Sequence, residues 1–152
     1  MTKIMFVCHG NICRSPMAEF VMKQLVKEKG KERFFKIASS AVSQEEIGSD
    51  IHNGTKRKLR EMGVPFESRK AVQLTKGDYS QYDYFIGMDQ WNLRQMLRIF
   101  EGDPQRKQFL LLSFAGEDRE VEDPWYTGNF DKTYEDVKKG CDALLEKILK
   151  NS

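Results

Sequence analysis

Residues that bind metals or form disulfides are scarce in this sequence, which has three cysteines and two histidines among its 152 residues. The cysteines, Cys8, Cys13 and Cys141, include no CxxC pair, so a structural zinc site is not expected. Their odd number and wide spacing also argue against a disulfide scaffold. This pattern is typical of a protein of the reducing cytoplasm. The apolar stripe around Cys141 predicts that this thiol packs in the core.

Long apolar runs and a strong charge excess are missing as well. Four apolar residues separate Lys3 from Cys8, too few for a signal peptide, and no stretch approaches the ~20 residues of a membrane helix. Lysine and arginine number 25 against 23 aspartate and glutamate, a net charge of +2. We therefore expect a cytoplasmic protein without a membrane or nucleic-acid partner. Residues 1–152 are expected to form one domain, as a monomer or weak dimer.

Apolar runs alternate with amphipathic stretches along the chain. The predicted strands are 4–7, 34–42, 82–88 and 109–114. The predicted helices begin near Pro16, at 54, after Asp89 and at 131, with Ser15 as the N-cap of the first and Gly30 at its end. This alternation predicts an α/β fold, a three-layer sandwich whose central four-stranded parallel sheet is flanked by helices. Ligands of such sheets bind at the carboxyl ends of strands, where Cys8 follows the first strand.

The segment after the first strand has the residues needed to hold a phosphate group. It reads Cys8-His9-Gly10-Asn11-Ile12-Cys13-Arg14-Ser15, and these eight residues are called the phosphate loop. The N–H groups of such a loop converge on one point beside the positive end of the next helix, which makes a cradle for a tetrahedral dianion. Arg14 binds two oxygens through its planar fork, and Cys8 is the candidate nucleophile. Ser15 donates to the thiolate, and Asn11 holds the loop in a left-handed conformation.

Cleavage of a phosphate ester with a phenol leaving group also needs a proton donor, and Asp123 is the best candidate. It begins the segment Asp123-Pro124-Trp125-Tyr126. Pro124 stiffens this loop, and the two aromatic residues can flank a planar substrate ring. Taken alone, these four residues favour an ordinary turn with anchoring aromatic side chains, so the acid role depends on the Cys8 loop.

With both segments, the sequence resembles the low-molecular-weight protein tyrosine phosphatases over essentially its whole length. Further markers are Ser39-Ser40-Ala41-Val42-Ser43 and Met88-Asp89 followed by Asn92-Leu93. The resemblance implies hydrolysis of phosphotyrosine in proteins or peptides through a cysteinyl-phosphate, without a metal or other cofactor. It assigns Cys8 as nucleophile, Arg14 as the group that binds phosphate and the transition state, and Asp123 as general acid and then base.

The resemblance also implies roles for the residues around these three. Asn11, Ser15 and Ser39 fall in the family's loop-orienting hydrogen-bond network. The substrate-binding positions are His9, Gly10, Asn11, Ile12, Cys13, Ser15, Glu45, Trp125 and Tyr126. Cys13 corresponds to a second thiol that traps an oxidised Cys8 as a disulfide, and His9 is expected at the rim of the cleft.

Two positions depart from the family, and three other functions compete. Glu45 stands where many members have an aromatic cleft residue, and Arg69 stands where many have a histidine that supports the phosphate loop. An arsenate reductase needs further cysteines, which residues 14–140 lack. Phosphoarginine phosphatases of the family carry threonine where Ile12 stands. A phosphopeptide-binding module without enzymatic activity needs neither Cys8 nor Asp123.

Overall fold

Four parallel strands form the central sheet of the computed structural model, which describes residues 1–151. They are β1 (Thr2–Cys8), β2 (Phe35–Ala41), β3 (Tyr84–Gly87) and β4 (Gln108–Leu110). Their order is β2-β1-β3-β4, and Cys8 pairs with Ala41 while Val7 pairs with Gly87. The central strand β1 therefore has a neighbouring strand on either side, and the chain leaves the sheet at its carboxyl end. Parallel sheets bind ligands at such a switch point.

Helices cover both faces of this sheet. They are α1 (Arg14–Glu28), α2 (Asn53–Glu61), α3 (Gln90–Phe100), α4 (Pro124–Thr127) and α5 (Phe130–Lys150). Along β1, Ile4 and Phe6 join the core formed with α1 and α5, whereas Met5 and Val7 join the core formed with α3. This alternation follows from the two-residue period of a strand, and the predicted three-layer sandwich is confirmed. Within residues 1–151, no helix is both long and apolar enough to span a membrane.

The fourth predicted strand, 109–114, is wrong beyond its first two residues. The chain turns into a 3₁₀ helix at Leu111–Ala115, which buries Leu111 and Leu112. Leu111 packs against α5 so closely that a Cβ at Gly140 would overlap its side chain. A continuous run of leucines has no period, so the sequence cannot distinguish a buried strand from a buried helical turn.

The start of α1 also differs from the prediction. Cys13, not Ser15, is the N-cap, and Arg14 is the first helical residue. The Ser15 hydroxyl instead lies 3.0 Å from the sulfur of Cys8, so a contact with this sulfur replaces the capping contact. The predicted end is confirmed, because Gly30 has φ +66° and donates its N–H to the carbonyl of Lys27 at 2.9 Å.

Two other helix starts lie next to the phosphate loop. Asp89 caps α3 as predicted, since its carboxylate accepts the N–H of Asn92 at 2.8 Å. His52 caps α2, and its Nδ1 accepts the N–H of Gly54 at 3.0 Å. The N–H of His52 also donates to the carbonyl of Ile12 at 2.9 Å. The caps of α2 and α3 thus lie against the loop that follows β1.

Candidate active site

Cys8 ends β1 with its side chain buried at the base of a cleft, and its residue is 3% exposed. Its sulfur lies 3.0 Å from the hydroxyl of Ser15 and accepts the Ser15 N–H at 3.4 Å. The Ser15 hydroxyl also accepts a hydrogen bond from Nδ2 of Asn11 at 2.7 Å. Because that bond uses the oxygen as acceptor, the hydroxyl hydrogen is available to the sulfur. Two donors therefore face the sulfur of Cys8.

Asn11 organises the loop around this sulfur. Its φ of 59° is the left-handed conformation expected from the sequence, and the residue is 1% exposed. Nδ2 donates also to Ser39 Oγ at 2.9 Å, and Ser39 in turn donates to Glu19 at 2.6 Å. The N–H of Val72 donates to Oδ1 at 3.3 Å, which fixes the orientation of the amide. Buried polar networks of this kind rigidify a site when every member has a partner.

Arg14 begins α1 and is 3% exposed. Its Nη1 donates to Asp89 at 2.8 Å and to the carbonyl of Val121 at 2.9 Å, and its Nη2 lies 3.4 Å from Asp123. Burial opposes the charge, but the negative charges of Cys8, Asp89 and Asp123 raise the pKa of Arg14 above its ordinary value. A permanent cation, held at one end by Asp89, therefore lies beside Cys8.

Asp123 reaches the cleft from the loop before α4. One oxygen caps α4 by accepting the N–H of Trp125 at 3.0 Å, and the other faces Arg14. The same loop is attached to α5 through Arg119, whose two Nη atoms donate to Asp136 at 2.9 and 2.8 Å. This paired geometry is the strong form of an arginine–carboxylate contact, so the loop that carries Asp123 is anchored several residues upstream of it.

The cleft has a volume of about 110 Å³. Its lining consists of Cys8, His9, Gly10, Ile12, Cys13, Arg14, Glu45, Glu46, Asp123, Trp125 and Tyr126. Trp125 and Tyr126, 55% and 82% exposed, form one wall. At the rim, Nε2 of His9 lies 2.9 Å from Glu45. The remaining predicted site residues, Asn11, Ser15 and Ser39, do not line the cleft and instead form the hydrogen-bond network beneath it.

The comparison with known proteins decides the family. Residues 3–152 match the model of the low molecular weight phosphotyrosine protein phosphatase family. The chain belongs to this family. It is 37% identical to the low molecular weight protein-tyrosine-phosphatase YfkJ of Bacillus subtilis, with 99% of this chain and 97% of YfkJ covered. It is also 37% identical to PtpA of Staphylococcus epidermidis, with 100% of this chain and 97% of that protein covered.

Solved structures of relatives have the same fold as this phosphatase. The crystal structure of YfkJ superposes with a TM-score of 0.95, with 100% of this chain and 97% of that one covered. The structure of SP-PTP from Streptococcus pyogenes gives a TM-score of 0.87 at 38% identity, with 97% and 93% covered. The fold and the enzyme class inferred from the sequence motifs, a protein-tyrosine-phosphatase and thus a hydrolase, are confirmed.

Three residues of the phosphatase site have contacts that the sequence analysis missed. Glu46 joins Glu45 on the rim. The ring of His52 stacks on Phe130 at 5.3 Å and meets the edge of Trp125 at 5.6 Å, so it supports the aromatic wall. Arg69 donates through Nη2 to the carbonyl of Asn11. No local pattern predicts the last two contacts, because each joins residues far apart in sequence.

The other two cysteines of the phosphatase are free thiols. Cys13 is 4% exposed and lines the cleft, and burial, aided by the charges of Cys8 and Asp123, raises its pKa to about 12. Cys141 is fully buried on α5, and burial raises its pKa as well. The predicted core position of Cys141 is confirmed, and both thiols stay protonated near neutral pH.

Proposed function

We propose that this phosphatase hydrolyses phosphotyrosine in proteins through a covalent intermediate on Cys8, with Arg14 binding the phosphoryl group and Asp123 transferring the proton. The observation that carries the proposal is the meeting of the three side chains in one cleft, although Asp123 lies in a distant part of the sequence. A nucleophile, a cation and a carboxyl group together are what transfer of a phosphoryl group from a phenol requires.

In the first step, the Cys8 thiolate attacks phosphorus, and the bond between phosphorus and the tyrosine oxygen breaks. The departing oxygen takes the proton of Asp123. The phosphoryl oxygens compete with Asp123 for Nη2 of Arg14, which lies 3.4 Å from the Asp123 carboxylate. Substrate binding thereby releases the Asp123 carboxyl group toward the leaving oxygen, while the fork of Arg14 stabilises charge on the phosphoryl group.

In the second step, water attacks the phosphorus of the cysteinyl-phosphate, and Asp123, now a carboxylate, takes a proton from that water. The bond between sulfur and phosphorus breaks, and inorganic phosphate and the Cys8 thiolate form. The hydrogen bonds of Ser15 to the sulfur, at 3.0 and 3.4 Å, stabilise the thiolate as it leaves. Asp123 thus acts as an acid and then as a base, and it is protonated again for the next cycle.

Each of the competing functions fits the residues of the site less well than the hydrolysis of phosphotyrosine. An arsenate reductase passes a disulfide along a series of thiols, but Cys141 lies fully buried on α5, where its sulfur faces the carbonyl of Ala18. A phosphoarginine substrate presents guanidine N–H groups, whereas the Ile12 side chain in the cleft is apolar and accepts no hydrogen bond. A phosphopeptide-binding module without enzymatic activity needs no proton donor, so it does not account for the position of Asp123 beside Arg14.

A single assay separates these functions. Purified protein is given peptides of one sequence that carry phosphotyrosine, phosphoserine or phosphoarginine, and released phosphate is measured. Phosphotyrosine is expected to be hydrolysed at least about 100-fold faster than the other two in kcat/KM. Preferential hydrolysis of phosphoarginine would replace the proposed substrate, and binding without turnover of any peptide would contradict the enzymatic proposal.

We also propose that residues 1–152 act as one cytoplasmic domain, as a monomer or a weak dimer. The family match over residues 3–152 and the three free thiols support this. Light scattering after size exclusion at two protein concentrations tests the assembly, and cell fractionation tests the compartment.

A further inference from the structure

The chain before Asp123 lies along one face of α5. Four contacts join the two, and their order along the chain before Asp123 is the reverse of their order along the helix. The contacts pair Leu111 with Gly140, Glu117 with Lys139, Arg119 with Asp136, and Glu122 with Thr133. The other three helix residues lie three or four positions from Asp136, so the four share one face. The segment 111–123 therefore runs antiparallel to α5 and ends with Asp123 near the start of that helix.

The contact between Arg119 and Asp136 has the strongest geometry of the four. Nη1 and Nη2 of Arg119 donate to the two oxygens of Asp136 at 2.9 and 2.8 Å, and Nε donates to Glu117 at 3.1 Å. The Asp136 side chain is 4% exposed, and a second cation, Lys132, lies 3.5 Å from it. A buried carboxylate that loses its close partner is strongly unfavourable. The folded chain therefore favours Arg119 docked on α5.

Both charges of this pair are maintained near neutral pH. Burial raises the pKa of Asp136, but the hydrogen bonds and charge of Arg119, with the charge of Lys132, bring it below its ordinary value. Hydrogen bonds to Asp136 and Glu117 raise the pKa of Arg119 above its ordinary value. The pair is therefore ionised under the conditions of an activity assay near neutral pH.

The same segment is bound to the phosphate loop just before Asp123. The carbonyl of Val121 accepts a hydrogen bond from Nη1 of Arg14 at 2.9 Å, and the N–H of Val121 donates to the carbonyl of Met88 at 2.9 Å. Val121 is also buried. The segment is thus attached to α5 by Arg119 and to the phosphate loop by Val121, and Asp123 follows both attachments.

The chain after Asp123 gives this residue less support. The helix α4 has four residues, and Trp125 and Tyr126 are exposed. A single helical turn is marginal without packing against other elements, so the position of the Asp123 carboxyl group depends mainly on the attachments before it. Since a misplacement of about 1 Å can cost about 100-fold in rate, these attachments matter for catalysis.

We propose that Arg119 is a positioning residue for the general acid. Its paired contact with Asp136 fixes the segment 111–123 on α5 and thereby holds the Asp123 carboxyl group within reach of the leaving oxygen. This inference rests on the proposed role of Asp123 in the cleft. It differs from a role in stability alone, because loss of Arg119 then impairs proton transfer selectively and spares substrates whose leaving group needs no proton.

The test measures kcat/KM for a series of aryl phosphates whose phenols range from strongly acidic to as weakly acidic as tyrosine. This constant reports the steps up to departure of the phenol, so its dependence on phenol acidity measures proton transfer. For Arg119→Gln we expect a loss of about 3- to 20-fold with the least acidic phenol, part of the ~10²–10⁴ of general acid catalysis, because Val121 still binds Arg14. With the most acidic phenol, kcat/KM should stay within about twofold of the wild type.

Two further variants separate the geometry of Arg119 from its charge. Arg119→Lys keeps the charge but cannot make two parallel hydrogen bonds, so its loss should be intermediate, with the same dependence on the phenol. If Arg119→Gln does not fold, this lysine variant gives the same comparison. Lys138→Gln is the matched control, because it breaks an exposed ion pair with Asp142, 2.8 Å long, on the same helix. It should match the wild type with every phenol.

The combined variant, Arg119→Gln with Asp123→Ala, decides whether Arg119 acts through Asp123. We expect it to have the kcat/KM of Asp123→Ala alone, because a positioning residue has no effect once the group it positions is gone. A further loss in the combined variant, or an equal loss of Arg119→Gln with all phenols, would overturn the inference. An equal loss of Asp123→Ala with all phenols would instead contradict the proposed acid role of Asp123, so the two failures are distinguishable.

Discussion

The phosphate loop and the aromatic wall form one cleft but are held in different ways. In the loop, Asn11, Arg14 and Ser15 are at most 3% exposed, and each makes at least two polar contacts with other segments or with the sulfur of Cys8. In the wall, Trp125 and Tyr126 are 55% and 82% exposed. A buried and connected network holds one geometry, whereas exposed side chains adjust to what they contact.

This difference predicts that the phosphate loop determines the rate of the chemical step and that the aromatic wall determines how well a substrate binds. Changes in the loop should act on kcat, because they disturb groups that contact the reacting atoms. Changes in the wall should act on KM, because in the proposed mechanism Trp125 and Tyr126 flank the ring of the substrate and take no part in the transfer of the phosphoryl group. Asp123 lies between the two regions, since one of its oxygens faces Arg14 and the other caps the helix that carries the wall.

Replacement of the proposed nucleophile should have the largest effect. Cys8→Ser is expected to lower kcat at least about 10⁴-fold, because a serine hydroxyl is not ionised near neutral pH. The Kd of inorganic phosphate should change only a few-fold, since Arg14 and the N–H groups of the loop remain. Phosphate release and a calorimetric titration measure the two quantities. Cys141→Ala, which removes an equally buried thiol on α5, should keep wild-type kcat; retained turnover in Cys8→Ser would remove Cys8 from the mechanism.

Removal of the acid should have the next largest effect, and the effect should depend on the leaving group. Asp123→Ala is expected to lower kcat for phosphotyrosine by about 10²- to 10⁴-fold, the usual contribution of general acid–base catalysis. An aryl phosphate with a strongly acidic phenol should lose much less, because that leaving group needs no proton. Asp118→Ala, a change of an exposed acid in the same loop, is the matched control. An equal loss on both substrates would assign the proton transfer to another group.

The second thiol of the loop gives a prediction with a pH dependence. Peroxide converts the Cys8 thiolate to a sulfenic acid, and attack by the Cys13 thiolate then forms a disulfide and releases hydroxide. Because the pKa of Cys13 is raised to about 12, only a small fraction is ionised at pH 7, and this fraction grows about tenfold per pH unit. The rate of disulfide formation should therefore rise about tenfold per pH unit from pH 7 to pH 9.

A pH-jump experiment isolates this second step. The protein is oxidised briefly at pH 6, shifted to each test pH, quenched with iodoacetamide and mapped by mass spectrometry. Cys13→Ser should give no 8–13 disulfide at any pH and should accumulate overoxidised Cys8. A rate that stays constant from pH 7 to pH 9 would show that ionisation of Cys13 does not limit the reaction.

The phosphate loop was predictable because its signals are local. An apolar strand, a polar loop with asparagine at the left-handed turn and a helix after Arg14 follow one another within a short stretch of sequence. The same local reasoning gave Ser15 two roles, as N-cap of α1 and as a partner of the Cys8 sulfur, and the structure confirms only the contact with the sulfur. Asn11 favours the contact with the sulfur, because its amide donates a hydrogen bond to the Ser15 hydroxyl oxygen. The hydroxyl hydrogen of Ser15 then remains available to the sulfur of Cys8.

Contacts between distant segments were not predictable in the same way. The carbonyl of Asn11 meets Arg69, and Trp125 meets His52, only because the sheet brings several loops to one edge. The departure from the family at Arg69 was visible in the sequence, but the hydrogen bond of Arg69 to the carbonyl of Asn11 was not. Similarly, Leu111 begins a helical turn instead of continuing the strand, and its side chain is buried beside Gly140. Packing of this kind between distant residues leaves no period in the sequence.

The smallest effect is expected for the wall, and it is the change that most directly tests the contrast with the loop. Trp125→Ala removes a ring that is 55% exposed and contacts His52 by its edge. Aromatic contacts contribute about 0.5–1.5 kcal/mol beyond the area they bury, so KM for a phosphotyrosine peptide should rise about 2- to 12-fold. The value of kcat and the Kd of inorganic phosphate should stay within twofold, because neither depends on contacts to the ring of the substrate.

Trp91→Ala is the matched control for Trp125→Ala, since Trp91 is 49% exposed on α3 and lies outside the cleft lining. Its kinetic constants should equal those of the wild type, and both variants should unfold within a few degrees of it because neither ring is buried. A fall in kcat for Trp125→Ala with unchanged KM would mean that the ring fixes Asp123, whose oxygen accepts the N–H of residue 125. The division into a rigid loop for chemistry and an adaptable wall for binding would then be wrong at Trp125.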